Sequence, residues 1–245
     1  MRTLVIGLPL PHVSYDNYSF LSAPSFLDYR RLIVLPEAIA RTVDEVVTGE
    51  KEHTTFGAHT VVNGPSSVTT FALGDLLIMR ARETRWLLDH GGIIVCFASF
   101  GITFDAISGL SSWHTYDWLP NPQGFRYAQH LWPGFGRPGA ILCQEDHPFA
   151  PYVETFAPRI AYQAVLDEEA PQFSQYGRIF IRNHGGAAIG AELQVGRGRV
   201  ILLPTLVRFD ADRSLLADTL FECLQRHLRE SGNPPPVSTP PRENY

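Results

Sequence analysis

Three short runs of apolar, largely β-branched residues constrain this chain more than anything else in it. Thr3–Leu8 (TLVIGL), Leu32–Leu35 (LIVL) and Ile93–Ala98 (IIVCFA) show no alternation of polar and apolar positions. A strand with one face in water alternates, whereas a strand covered on both faces does not. The runs therefore predict buried strands of a mostly parallel sheet with helices on both sides, an α/β fold of the doubly wound kind.

The punctuation between the runs supports this order. Pro9 and Pro11 stop the first strand and Pro36 the second. A helix is expected over Ala38–Val47, closed by Thr48, Gly49 and Glu50. The aperiodic stretch His12–Asp28 reads as a loop across the C-terminal edge of the sheet. Residues 51–71 are polar and β-branched, and read as an insertion or hairpin with a turn at Asn63, Gly64 and Pro65. Leu73, Leu76, Leu77, Thr84, Leu87 and Leu88 form a helical stripe, with the arginines and Glu83 elsewhere, and His90, Gly91 and Gly92 end that helix.

Residues 99–139 form a long excursion, rich in Gly, Pro and aromatic residues and without a clear period. Such insertions serve as lids or interaction surfaces, or else as packed structural caps. Beyond it come a strand at Ala140–Cys143, a helix at Pro148–Phe156 and strand-like runs at Ile160–Leu166, Arg178–Asn183, Ala187–Val195 and Val200–Leu203. The last two form a hairpin around Gly196-Arg197-Gly198. Leu216, Leu220, Cys223, Leu224, His227 and Leu228 mark a C-terminal helix. The expected organisation is a single α/β domain over 1–231, with insertions near 51–71 and 99–139, followed by a proline-rich, disordered tail over 232–245.

With 44% apolar and 18% charged residues the chain can bury a large core. A net charge of -5 gives no global reason to bind nucleic acid. Arg178, Arg182, Arg197, Arg199 and Arg208 read as a solvated edge, because alternation along strands scatters them over two faces. Cys96, Cys143 and Cys223 are odd in number and each sits in an apolar run, as free thiols in a reducing compartment do. Neither a signal-peptide pattern nor a membrane-length apolar run is seen, and a cytoplasmic location is expected.

The segments TLVIGL, FLDYRRLIVLP, LLDHGGIIVCFAS and GRGRVILLPTLV together resemble the class I glutamine amidotransferase-like, flavodoxin-like fold. In catalytic members of that family a cysteine sits on a glycine-flanked strand-to-helix turn, with a histidine and a glutamate after the late hairpin strand. Here the corresponding turn reads Cys96-Phe97-Ala98-Ser99-Phe100-Gly101, with the cysteine inside the strand and phenylalanines where small residues are wanted. Leu203-Pro204-Thr205 stand where the histidine and glutamate are expected. The resemblance thus implies the fold without the catalytic triad.

Other chemistry has its own candidates. Ser99 is a possible nucleophile with His147 or His184 as base, and Cys143, Glu145, Asp146 and His147 gather reactive groups after a strand. No GxSxG frame surrounds Ser99, and the adjacency in the second cluster scatters its side chains. His53 and His59, or His114, Asp117 and His130, lack the short paired spacing of metal ligands, and neither a P-loop nor GxGxxG is present. No metal or cofactor is implied. Asp16 and Asn17, with Ser66 and Ser67, are the candidates for a polar pocket at the C-terminal edge of the sheet. Trp113, Trp118 and Trp132 are candidate anchors for a protein partner.

Two functions remain. The leading one is a non-catalytic amidotransferase-like domain acting as a protein-interaction or accessory subunit of a larger complex. The alternative is a hydrolase or amidase with an unorthodox serine or cysteine nucleophile under a lid.

Overall fold

The computed structural model of the chain describes residues 2–48, 52–56, 59–63, 68–104, 112–122, 125–136, 141–170, 173–209 and 212–230. The expected tail at 232–245 and the candidate residues Ser66 and Ser67 lie outside these. Strand β1 (Thr3–Ile6) is buried at every position. Gly7 ends it at φ +76, where any Cβ would collide with that of Ala38.

Strand β2 (Tyr15–Tyr18) then runs parallel to β1, with Thr3 opposite Tyr15 and Ile6 opposite Tyr18. Parallel neighbours usually need a crossover of about a dozen residues or more. Here residues 7–14 suffice, because Leu8 and Leu10 are buried beneath the connection and Asn17 clamps it. The Asn17 Oδ1 accepts the Leu10 N–H at 2.7 Å and its Nδ2 donates to the Leu10 carbonyl at 2.9 Å. The expected loop over 12–28 is thus corrected: it contains an edge strand and a short 3-10 turn at Phe26–Asp28.

Strand β3 (Arg31–Val34) is fully buried and leads into α1 (Pro36–Thr48), whose first-position proline and Glu37 suit a helix start. Strands β4 (Glu52–Phe56) and β5 (His59–Asn63) form the expected hairpin. Phe56 pairs with His59, upstream of the Asn63-Gly64-Pro65 signal. Helix α2 (Val68–Asp89) buries the predicted stripe, including Leu73, Leu77, Thr84, Leu87 and Leu88. It also buries Arg80 and Glu83, against expectation. Arg80 Nη1 donates to Glu83 at 2.8 Å and to the Pro24 carbonyl at 2.9 Å, and the Ser25 hydroxyl donates to Glu83 at 2.7 Å. This pair pins the 19–28 segment onto α2, which apolar periodicity does not reveal.

Gly91, at φ +79, turns the chain into β6 (Ile93–Ala98), buried throughout. The excursion follows with β7 (Thr103–Phe104) paired to β8 (Trp113–His114), then α3 (Tyr127–His130) and β9 (Leu131–Gly136). Next come β10 (Leu142–Cys143), α4 (Ala150–Phe156), β11 (Ile160–Leu166) and α5 (Phe173–Tyr176). Strands β12 (Gly177–Arg182), β13 (Ala188–Val195) and β14 (Gly198–Leu206) and helix α6 (Arg213–Glu230) complete the described chain.

The central sheet has the order β10-β12-β13-β14-β6-β3-β1-β2. From β14 to β2 every pairing is parallel, and from β14 to β10 every pairing is antiparallel. Strand β11 takes over the free edge of β14 beyond β13, with Ile160 opposite Leu206, and carries β9 on its far side. Alternate residues of the parallel strands feed two cores. Leu4, Ile6, Leu32, Val34, Ile94 and Cys96 face α1 and α2 in one; Val5, Ile33, Val95 and Phe97 face α4 and α6 in the other. Each such side chain contributes about 1.5–3 kcal/mol by leaving water, which is why the strand runs carry no polar face. The fold is α/β, a mostly parallel central sheet extended by antiparallel strands.

Among the described residues no helix is long and apolar enough to cross a membrane. The excursion is packed core over much of its length: Trp113, Tyr116, Trp118, Phe125 and Tyr127 are all buried on the α1 and α2 side. Trp113 and Trp118 are therefore not surface anchors. Of the three candidates only Trp132 is exposed, at 51%.

Candidate functional site

Open α/β sheets place ligands beyond the C-terminal ends of their parallel strands, where loops diverge. In this chain that edge holds a cavity of about 420 Å³ beside the end of β6. Its floor comes from Ser99, Phe100, Ile102 and Phe104, and its far wall from Phe135 of β9 and Gln163 of β11. Helix α1 supplies the remaining side with Glu37, Ala40, Arg41 and Asp44, which helical spacing brings onto one face. The Phe100 and Phe135 rings meet edge to face at 5.3 Å, so the interior is apolar and the charge is confined to α1.

Ser99 is buried and held by its backbone. Its N–H donates to the Tyr116 hydroxyl at 2.9 Å, and that hydroxyl donates back to the Ser99 carbonyl at 2.7 Å. The Ser99 Oγ has no hydrogen-bond partner among the described residues, so no histidine activates it. The chain leaves β6 without entering a helix, and the sharp strand-to-helix turn that exposes a nucleophile is not formed here. Cys96 lies inside β6, and burial pushes its thiol far up.

The Cys143–His147 cluster is dispersed by the fold. Burial, with Glu154, Asp146 and Glu145 nearby, pushes the Cys143 thiol up to about 11 and keeps it protonated at neutral pH. Asp146 points outward and pairs with Arg178 at 3.1 Å. His147 points inward, stacked on Phe180 at 3.7 Å between ring centroids. Its Nδ1 accepts the Phe149 N–H at 3.2 Å, which leaves Nε2 to donate to Glu192 at 3.1 Å. With both nitrogens engaged, this imidazole is a structural donor rather than a waiting base.

Glu192 also receives His227 Nε2 at 3.4 Å and Arg199 Nε at 2.9 Å. Burial alone would raise its pKa, yet the hydrogen bonds from His147 and His227 prevail and hold the carboxyl well below the usual range. Glu192 lies in register with Ile201 and hence with Val95, four residues before Ser99. At about 3.3 Å per residue, the His147 cluster is roughly 13 Å from Ser99 along the strand direction alone. His184 is exposed at the β12–β13 turn, more than two strand spacings across from β6, which is roughly 10 Å or more.

The remaining candidates have local duties. Asp16 accepts the Tyr29 hydroxyl at 3.1 Å and pairs with Arg2, while Asn17 clamps Leu10, so neither opens a polar pocket. Asp117 accepts the His114 N–H at 2.7 Å, and His130 meets Asp167 at 3.2 Å. Among the described residues no group of three or more His, Cys, Asp or Glu is arranged to hold a metal ion. Arg178, Arg182 and Arg199 are each paired to a carboxylate, so they do not form an open cationic patch.

The residues that do converge at the edge, above all Phe135, Gln163 and the Glu37–Asp44 face, were not singled out by sequence. The advance signals were Phe100 beside Ser99 and the aromatic excursion over 99–139, in which Phe135 lies. Comparison with protein-family models and with curated proteins finds no match. Among solved structures, the chain is similar to the cytoplasmic protein STM3548 of Salmonella typhimurium, with 8% identity and a TM-score of 0.42 over 90% of this chain and 98% of that one.

Proposed function

We propose that the chain is a non-catalytic, amidotransferase-like domain that serves as a protein-binding accessory subunit, using the C-terminal edge of its parallel strands as the contact surface. Taken in chain order, the parallel block β2-β1-β3-β6-β14 has the 2-1-3-4-5 order of flavodoxin-like sheets, with helices on both faces. The helix-free connection between β1 and β2 departs from that pattern. Two buried free thiols, Cys96 and Cys223, suit a cytoplasmic location.

One observation carries the reading. Where a catalytic relative holds its nucleophile, this chain has a serine whose Oγ has no hydrogen-bond partner among the described residues, beside the paired rings of Phe100 and Phe135. Phe135 is 66% exposed and Trp132 precedes it on the same strand. Exposed aromatic residues beside a concave apolar site are the usual centre of a protein interface.

The test is affinity capture from the native cytoplasm with wild type, Phe135→Asp and Trp132→Ala. A protein held by the wild type and released by Phe135→Asp supports the reading. Capture that ignores both substitutions, or an acyl-transfer or amidase activity abolished by Ser99→Ala, overturns it. A second reading, a small apolar ligand, is favoured by the cavity volume, and stabilisation of the protein by such a ligand, lost in Phe135→Asp, would establish it.

A further inference from the structure

Helix α2 is amphipathic only in part. Its buried face packs on the sheet, while the opposite face exposes Phe71, Ile78 and Met79 at 52%, 36% and 42%. Asp75 and Arg82, both exposed, stand on this same outer face. They are seven residues apart, close to two helical turns or about 10 Å, so they and the apolar residues form one continuous stripe. A stripe of this kind is normally covered by something.

We propose that a second copy of this chain covers it, with the two α2 helices antiparallel about a two-fold axis passing between Ile78 and Met79. A two-fold contact is self-complementary: residues equidistant from the axis meet. Ile78 then meets Met79 of the second copy at the centre. Asp75 and Arg82 are equidistant from the same point, so each carboxylate faces the other copy's guanidinium, twice per dimer. One turn further out, Phe71 meets Trp86, whose indole is half-buried and stacked on His90 at 4.1 Å. The same axis therefore matches apolar with apolar, acid with base and aromatic with aromatic.

The charges also fix the direction. A parallel arrangement sets Asp75 against Asp75 and Arg82 against Arg82, which is repulsive at both positions. This surface lies on α2 and shares no residue with the cavity beside β6, so the two interactions stand or fall separately.

The experiment is sedimentation equilibrium on the full chain, with circular dichroism to verify folding, for which these exposed positions are well suited. The wild type dimerises. Asp75→Arg and Arg82→Asp, each alone, place like charges at both symmetric contacts and weaken the dimer by at least about tenfold. An equimolar mixture of the two variants regains wild-type affinity as a heterodimer, because both contacts become complementary again. Ile78→Glu abolishes association in either background. A wild type that stays monomeric to about 1 mM, a dimer indifferent to the charge reversals, or variants that weaken but fail to rescue each other would overturn the proposal.

Discussion

Replacing Glu192 by glutamine keeps the side-chain volume and removes the charge on which His147, His227 and Arg199 converge at 3.1, 3.4 and 2.9 Å. Glutamine offers one acceptor oxygen, and its amide nitrogen, itself a donor, must face another N–H. Breaking a buried ion pair costs about 3–5 kcal/mol. Here the Glu192 side chain is 19% exposed and that of Arg199 34%, and solvent recovers part of the loss. We expect Glu192→Gln to lose about 2–3 kcal/mol at pH 7. At about 2–4 °C per kcal/mol for a chain of this size, Tm falls by about 4–12 °C.

The cost must also depend on pH. A carboxyl whose folded pKa is depressed stabilises the protein above its unfolded value of about 4.3, and that stabilisation is lost as pH falls from there toward the folded pKa. The depression at Glu192 comes from its histidine partners against the opposing effect of burial. The gap between wild type and Glu192→Gln is therefore widest near neutrality and narrows below about pH 4. Urea unfolding followed by tryptophan fluorescence at several pH values measures it. A gap under about 0.5 kcal/mol at pH 7, or one that acidification does not shrink, refutes the argument.

Three further outcomes follow from the geometry. Asn17→Ala removes both hydrogen bonds to Leu10 and costs about 1–3 kcal/mol, with faster amide exchange at Leu10 as its local signature; unchanged exchange would deny the clamp. Trp118→Ala empties a core site and costs about 3–5 kcal/mol, whereas Trp132→Ala stays within about 1 kcal/mol; equal effects in urea unfolding would contradict the burial assignment. Cys143, with its thiol pushed up to about 11, holds about 100-fold less thiolate at pH 8 than an ordinary cysteine and should react correspondingly slowly with iodoacetamide; alkylation as fast as that of a free thiol would show an activated site instead.

Sequence alone located the parts of the fold whose burial is uniform. Ile93–Ala98 is a strand at its expected limits, since no polar residue within it competes with the sheet. Strand β2 was illegible because Tyr15-Asp16-Asn17-Tyr18 is an edge strand, half exposed and lacking an apolar period. Trp113 and Trp118 misled for another reason: an aromatic residue in an irregular segment fits a core or an interface equally well, and only the fold decides. The Glu192 cluster had no local signal at all, its members coming from β13, β14, α6 and the segment before α4. The cavity beside β6 was similarly hidden, because Phe135 and the α1 face reach Ser99 only through tertiary packing.

The parallel ladder has a consequence for synthesis of the chain. Strand β6 lies between β3 and β14, and Gly198 opens β14 100 residues after Ala98 closes β6. On the ribosome, β1, β3 and β6 can assemble early, but at about 5–20 residues per second the outer edge of β6 waits roughly 5–20 s for its partner. During that interval six consecutive apolar residues, Ile93–Ala98, present unpaired backbone groups of the kind that recruits foreign strands. The nascent chain is thus most exposed to misassembly just before the segment that completes its centre emerges, and a chaperone that shields β6 would act within that interval.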